Sequence, residues 1–164
     1  MVKIKRLLIV IYPKNNKEED YKMKISEIMT KDVISLSVDD TVEHAAELMK
    51  EHNIGSLPVN TEEKVVGIVT DRDIILRCVA EGKDLKVQKV REIMTTNPVI
   101  ANENLNVDDA ARIMSERQIR RIPIVENNIL VGMVSLGDLA VEPNLKQEAT
   151  GALSEISIPS IHNI

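Results

Sequence analysis

The chain has 164 residues, a formal net charge of −5 and neither Phe nor Trp. This length suits one domain of ordinary size or two small units that share a core, and that core has to be built from aliphatic side chains. Without Phe or Trp the protein lacks the platforms on which single-stranded nucleic acids stack, and its acidic charge disfavours nucleic acids and anionic membranes as partners.

The first 22 residues contain a short apolar run, RLLIVIYP, followed by a charged stretch. A run of this length cannot span a bilayer, and no small-residue cleavage site of a signal peptide follows it. We interpret residues 1–22 as an additional strand or an arm that packs on a partner, with Met23 as an alternative start of the protein. We expect the protein to be soluble and cytoplasmic.

An internal repeat organises the rest of the chain. The stretch GIVTDRD at residues 67–73 returns as GMVSLGD at residues 132–138, an offset of 65 residues. The same offset relates EIMT at residues 27–30 to EIMT at residues 92–95. A constant offset over a whole unit indicates an internal duplication.

Each copy predicts a β-α-β-β-α unit. In the first copy a short strand, VISLS, precedes a helix that Thr41 can cap, and apolar residues at i, i+3, i+4 and i+7 form one face of that helix. Two strands, LPVN and VVGIVT, follow and are joined by the polar turn TEEK, which is typical of a hairpin. The second helix, DIILRCVAEG, is predicted to end near Gly82.

The second copy has the strands PVIAN, IPIV and LVGMVS, and Asn106 is the predicted cap of its first helix. Pro143 shortens its last helix, NLKQEATGALSEI predicts an additional helix, and SIPSIHNI forms a tail. Because a unit of this size is marginally stable alone, we expect the two to pack as an α/β pseudo-twofold pair with clefts where they meet. The predicted division is an N-terminal extension (1–22), a first repeat (23–82), a linker with the second repeat (83–142), and a C-terminal helix and tail (143–164).

In both copies a hydroxyl residue precedes an aspartate by three positions, as Thr70 and Asp73 and as Ser135 and Asp138. Because the hydroxyl closes a strand and opens a helix, this spacing predicts a capping box, in which each side chain bonds the backbone N–H of the other residue. Phosphates also settle at helix starts of this kind, and a carboxylate there can accept the hydroxyls of a ribose. The spacing is thus explained by capping and is compatible with nucleotide binding.

The motifs EIMT, then GSLPV or RRIPI, then G-h-h-[ST]-x-x-D (h, apolar) occur twice within residues 24–142. This order resembles a pair of cystathionine β-synthase (CBS) domains, also called a Bateman module. The resemblance implies a regulatory module without enzyme activity that binds AMP, ADP, ATP or S-adenosylmethionine as a regulatory ligand. It also implies a homodimer, or a sensor that acts on a regulated protein.

The resemblance further implies roles for individual residues. Residues that flank the first strand of each copy would hold the adenine: Thr30, Asp32, Val33 and Ile34, and Thr95, Pro98 and Val99. Residues around the second-strand proline would line the site and contact phosphate: Ser56 and Pro58, and Arg120, Arg121 and Pro123. The ribose and phosphate end would meet Thr70, Arg72, Asp73, Ser135 and Asp138.

The arginines are distributed unequally between the copies. The second copy has Arg120 and Arg121 where the first has Gly55 and Ser56, whereas Arg72 of the first copy has a glycine as its counterpart. Two identical ligand sites are therefore not expected. The sequence leaves open which cleft each arginine faces.

Two alternatives to an adenine nucleotide remain open. With S-adenosylmethionine, a cation, acidic and apolar contacts would matter more than arginines; in a ligand-free module, side chains would close the clefts and the dimer faces would do the work. Cys78 lies on an apolar helix face and is predicted to be an inert core thiol. The sequence contains no nucleophile with a neighbouring base, no phosphate-binding loop and no metal-ligand pattern, so we expect neither catalysis nor a metal.

Overall fold

The computed structural model describes residues 22–158. The predicted arm at residues 1–22 lies outside this range apart from Lys22, and so does the end of the predicted tail, residues 159–164. Within the described range, no helix is both long enough and apolar enough to cross a membrane.

The first repeat contains a strand, a helix, a hairpin and a second helix, in the predicted order. Its elements are β1 (Leu36–Ser37), α1 (Val42–Glu51), β2 (Ser56–Thr61), β3 (Lys64–Thr70) and α2 (Asp71–Ile74). A π-helical turn, Ile75–Val79, extends α2. Gly82 follows with a positive φ of 66°, a conformation that favours glycine, so the predicted end of this helix is confirmed.

The second repeat has the same order after an additional short strand at its start, and it ends differently. Its elements are β4 (Thr95–Thr96), β5 (Ala101–Asn102), α3 (Val107–Arg117), β6 (Arg121–Glu126), β7 (Ile129–Ser135) and α4 (Leu136–Val141). The helix α4 stops before Pro143, as predicted, since a proline cannot continue it. The additional helix is confirmed as α5 (Lys146–Ile156).

Seven strands form one sheet in the order β1-β2-β3-β7-β6-β5, with β4 paired to β3. Within each repeat the two hairpin strands are antiparallel, and the first strand runs parallel to the first hairpin strand. The hairpins meet at the residue pair Lys64 and Ile129. The strand order is therefore symmetric about the β3–β7 contact, which is the predicted α/β pair of repeats.

The segment that leads into each repeat packs on the other repeat. Thr30 exchanges two backbone hydrogen bonds of 2.9 Å with Met133 of β7, and β4 pairs in the same way with β3. Ile25 is buried in the core of the second repeat, whereas Val90 and Ile93 are buried in the core of the first. Each core therefore combines one repeat with the segment that leads into the other repeat.

Two glycines allow each leading segment to pack on the opposite repeat. A Cβ atom on Gly67 would lie 2.4 Å from Sδ of Met94, and one on Gly132 would lie 2.4 Å from Sδ of Met29. The methionine of each EIMT motif thus packs against the glycine that opens the G-h-h-[ST]-x-x-D motif of the opposite repeat.

Both cores are aliphatic, as the composition predicts. The first contains Cys78, whose side chain is fully buried, which confirms the prediction of a core thiol. The second also includes Ala149 and Ala152 of α5. The largest fully buried side chains are Ile25, Leu36, Leu57, Ile93, Met114, Ile122, Ile124 and Leu139.

The two predicted caps of α1 and α3 have different outcomes. Thr41 Oγ1 accepts from the backbone N–H of His44 at 3.2 Å, so the cap of α1 is confirmed. The predicted cap by Asn106 is wrong, because its side chain accepts no hydrogen bond from the backbone of α3. Asn106 Oδ1 instead accepts from Lys24 Nζ at 2.9 Å, since the leading segment passes the start of α3 and brings this lysine to the amide.

Candidate ligand-binding clefts

Two clefts lie where the repeats meet, and each is built from both repeats. The first cleft, of about 440 Å³, lies between the leading segment and β2 of the first repeat and the start of α4. The second, of about 570 Å³, lies between β4, β6 and the segment after β4, and the start of α2. Both volumes fall within the range of small-molecule sites, roughly 300–1,000 Å³.

All the residues singled out in the sequence line one of these clefts. The first cleft is lined by Thr30, Asp32, Val33, Ile34, Ser56, Pro58, Ser135 and Asp138. The second is lined by Thr70, Arg72, Asp73, Thr95, Pro98, Val99, Arg120, Arg121 and Pro123. The structure therefore brings the first strand of one repeat together with the [ST]-x-x-D motif of the other. Their roles towards a ligand remain predictions.

Further lining residues were not predicted from the sequence. They are His52, Asn53, Ile54, Gly55 and Met133 in the first cleft, and Ile68, Asp71, Asn97, Gln118, Ile119 and Ile156 in the second. Asn53 and Gln118 follow α1 and α3 with positive φ angles of 52° and 51°. They are related by the 65-residue offset, so the repeat could have predicted that they occupy equivalent positions. Ile156 had no such signal, because α5 has no counterpart in the first repeat.

Asp138 and Ser135 form the predicted capping box at the start of α4. Asp138 Oδ2 accepts from Ser135 N at 2.7 Å and from Ser135 Oγ at 2.8 Å, and Ser135 Oγ accepts from Asp138 N at 3.2 Å. The other carboxylate oxygen, Oδ1, has no hydrogen bond or ion pair to any residue within 22–158. Because Asp138 lines the first cleft, this oxygen is available to a ligand donor there.

Asp73 and Thr70 form the equivalent box in the second cleft, with one difference. Asp73 Oδ2 accepts from Thr70 N at 2.9 Å and from Thr70 Oγ1 at 2.7 Å. Asp73 Oδ1, however, lies 3.4 Å from Nη2 of Arg77. The other terminal nitrogen of this arginine, Nη1, donates to the carbonyl of Ile93 at 2.5 Å. The second repeat has Glu142 in place of Arg77, so the same motif leaves a free carboxylate oxygen in only one of the two clefts.

The clefts also differ in charge. The second cleft is lined by Arg72, Arg120 and Arg121 against two aspartates, Asp71 and Asp73. Arg121 also lines the first cleft, where it faces two other aspartates and is the only Arg or Lys among the described lining residues. No guanidinium of these three arginines forms a hydrogen bond or ion pair with another described residue. Three unpaired cations therefore surround the second cleft.

The described part of the chain offers no metal site. No group of three or more His, Cys, Asp or Glu side chains within residues 22–158 is arranged to hold a metal ion. The lining of both clefts offers carboxylates, arginines and apolar side chains for contacts with a ligand.

Comparisons with known proteins agree with this architecture. The family model for the CBS domain matches residues 25–79 and 90–143. The CBS domain-containing protein YhcV of Bacillus subtilis (strain 168) is 44% identical over 138 residues, which cover 84% of this chain and 98% of that protein. The inosine-5′-monophosphate dehydrogenase of Methanocaldococcus jannaschii is 36% identical over 128 residues, but these amount to only 25% of that enzyme.

Two solved structures show the same fold. A CBS domain pair in complex with 5′-methylthioadenosine and S-adenosyl-L-methionine has a TM-score of 0.67 and 32% identity, covering 73% of this chain and 94% of its own. A hexameric CBS-CP12 protein from bloom-forming cyanobacteria has a TM-score of 0.70 and 32% identity, covering 78% of this chain and 76% of its own.

Two tandem β-α-β-β-α repeats that enclose a pair of composite clefts define a regulatory ligand-binding module. The chain belongs to the CBS domain family and contains two such domains in tandem.

Proposed function

We propose that this CBS pair is a non-enzymatic sensor that binds an adenine nucleotide, AMP, ADP or ATP, and relays its presence by a change of conformation. The observation that carries the proposal is the set of three unpaired arginines around the second cleft. Arginine is suited to bidentate contacts with phosphate. Three guanidinium groups that form no ion pair, against two aspartates in the same lining, favour an anionic ligand.

Three groups of residues in the lining of the second cleft support the binding of a nucleotide. Pro98 and Val99 provide an apolar wall for the adenine, and Thr70 and Asp73 lie at the ribose and phosphate end. Arg72 and Arg120 are exposed in the lining of the second cleft, where they would contact phosphates. The clefts are open in the described structure, which does not support a module whose clefts are closed by side chains.

The test is isothermal titration of protein stripped of carried-over ligand, with AMP, ADP, ATP and S-adenosylmethionine in turn. We expect saturable binding of at least one nucleotide, and a loss of affinity of about tenfold in Arg120→Ala, which removes one charge-assisted phosphate contact. Arg117→Ala is the matched control, because Arg117 is also exposed but lies at the end of α3 outside both clefts. Absence of heat with every nucleotide, or an equal loss in both variants, would contradict the proposal.

A second candidate ligand is S-adenosylmethionine in the first cleft. Asp32 and Asp138 outnumber the single arginine there, and the free Oδ1 of Asp138 adds an acceptor that suits a cation or a ribose. The similar CBS pair that binds 5′-methylthioadenosine and S-adenosyl-L-methionine supports a ligand of this class. Binding of S-adenosylmethionine that survives Arg120→Ala but is weakened by Asp138→Asn would favour it.

We also propose a homodimer as the unit that relays the ligand signal. The π-helical turn that extends α2 carries three apolar side chains, Ile75, Leu76 and Val79, which are 54%, 50% and 51% exposed. A second copy of the chain that covers this face would remove them from water. We expect light scattering after gel filtration to give twice the monomer mass, and Leu76→Glu to give the monomer mass; a monomeric parent protein would contradict the proposal.

A further inference from the structure

Arg121 occupies the boundary between the two clefts. It starts β6, where it pairs with Ser135, and its register counterpart in the first repeat is Ser56. Its side chain lines both the first and the second cleft. The Nη2 atom lies 3.5 Å from the position that a Cβ on Gly55 would take, so the guanidinium extends from the second repeat to the wall of the first cleft.

The guanidinium is available to a ligand. Arg121 is half-buried and forms no ion pair or hydrogen bond through its side chain with any described residue, although Asp71 Oδ2 lies 3.0 Å from the same Cβ position on Gly55. A half-buried charge without a partner is unfavourable, so an anion in either cleft would gain from contacting it.

The two clefts depend on Arg121 to different extents. The second cleft keeps Arg72 and Arg120 when Arg121 turns away from it. The first cleft has no other Arg or Lys among its described lining residues. Without Arg121, the ionisable side chains around a phosphate there would be His52 and the two carboxylates of Asp32 and Asp138. Repulsion between like charges in a partly desolvated site disfavours that arrangement.

We propose that Arg121 is a shared anion contact that makes the two clefts compete for phosphate. A phosphate bound in the second cleft accepts bidentate hydrogen bonds from the guanidinium of Arg121, which then no longer contacts the first cleft. The first cleft then accepts an uncharged or cationic adenosine compound in preference to a nucleotide. Because the coupling of two binding events is reciprocal, a phosphate in the first cleft weakens phosphate binding in the second by the same factor. This inference rests on the proposed binding of adenine nucleotides.

The test uses methyl NMR on the whole chain, because each cleft contains a reporter of its own. Met133 lines the first cleft and Ile156 lines the second. AMP and uncharged adenosine are titrated into the parent protein, into Val99→Trp, which fills the second cleft, and into both proteins with Arg121→Ser added. Serine is the residue that the first repeat carries at this register, so the change suits the strand.

We expect the first cleft to bind AMP about tenfold more tightly when the second cleft is filled by Trp than it does in the parent protein when AMP occupies the second cleft. A factor of this size is a typical coupling between two sites. The difference should vanish in the Arg121→Ser background and should be absent for adenosine. Ile119→Trp is a second blocking variant in case Val99→Trp does not fold, and Arg117→Ala is the control for loss of an exposed arginine. Two results would overturn this inference but not the proposed nucleotide binding. One is a first-cleft affinity for AMP that is the same whether the second cleft is blocked or occupied, and the other is a coupling that is unchanged in Arg121→Ser. No shift of either reporter with AMP, ADP or ATP would overturn the proposed nucleotide binding as well.

Discussion

The two aspartates of the repeated motif have the same local hydrogen bonds but different surroundings. Both accept from the hydroxyl and the backbone N–H of the residue three positions earlier. Arg77 occupies the second oxygen of Asp73, whereas Glu142 at the corresponding position leaves the second oxygen of Asp138 free. One residue one helical turn away therefore leaves the repeated motif with an unoccupied carboxylate oxygen in one repeat and an ion-paired one in the other.

Asp138→Asn is expected to weaken ligand binding in the first cleft about tenfold, because a charged acceptor contributes about 1.5–3 kcal/mol to a hydrogen bond. The thermal midpoint should change little, since an amide oxygen can still accept from Ser135. The affinity is read from the Met133 methyl signal, with Asp108→Asn, an exposed residue of the first turn of α3, as the control. Equal affinities in the parent and in Asp138→Asn would contradict this role.

Cys78 allows a second prediction at the scale of a single residue. Burial raises the pKa of its thiol, and this outweighs the opposing effect of Lys83. The folded state therefore favours the neutral thiol. This contribution to stability is complete below the ordinary thiol pKa, declines above it and is lost as the pH rises through the raised pKa of the folded state. We expect iodoacetamide to label the native protein slowly at neutral pH, at a rate that follows unfolding by denaturant.

Since Cys78 is the only cysteine of the chain, any labelling reports on it alone. Alkylation of the folded protein at the rate of a free thiol would show that the side chain is accessible in solution.

At the scale of elements, the two hairpins have the same backbone but different turn residues. The turn of the first hairpin holds Glu62 and Glu63 at φ angles of 50° and 67°, and that of the second holds Asn127 and Asn128 at 51° and 68°. Two central residues with positive φ define a turn that favours Asn and Gly, whereas other residues lose about 1–2 kcal/mol each in this conformation. The first hairpin is therefore held in place by its strands despite its turn.

Glu63→Gly is expected to stabilise the protein by about 0.5–1 kcal/mol, which raises the thermal midpoint by about 2–4 °C per kcal/mol in a chain of this size. Asn128→Gly, the matched change in the second hairpin, should give a smaller gain because Asn already tolerates positive φ. Thermal unfolding followed by circular dichroism measures both, and a gain that is equal in the two turns would contradict the explanation.

At the scale of the whole molecule, the exchange of leading segments ties the repeats together. The segment that leads into each repeat adds backbone hydrogen bonds and at least one buried isoleucine to the core of the opposite repeat. The repeats are thereby expected to unfold as one unit. α5 breaks the symmetry, since it packs its alanines into the second core and brings Ile156 to the second cleft.

Gly132→Val is expected to destabilise the molecule by about 1–3 kcal/mol, the usual cost of an additional side chain in a packed site. Its Cβ would meet Met29 Sδ at 2.4 Å and the carbonyl oxygen of Thr30 at 3.2 Å, and so would displace the leading segment. Gly151→Val in α5 is the matched control, because a Cβ there meets no atom within 4 Å. Urea unfolding gives the loss of stability, and faster hydrogen exchange at residues 24–30 shows where it arises. Equal stability of the two variants would contradict the packing of the leading segment on the opposite repeat.

The sequence by itself determined the duplication, the β-α-β-β-α order, the aliphatic cores and the capping boxes. These features depend on contacts within a few residues or on the period of apolar side chains, so they can be read locally. The cap by Thr41 was correct for this reason. The cap by Asn106 failed because a lysine 82 residues away in sequence takes its amide oxygen.

Only the tertiary structure decided which motifs share a cleft. Thr70 and Asp73 lie with Arg120 and Pro123 of the other repeat, and Arg121 lies between both clefts. The repeat offset gives no information on this pairing, since it relates equivalent positions and not neighbouring ones. The pairing follows from the contact between β3 and β7 and from the crossed leading segments, which place the two ends of each cleft on different repeats.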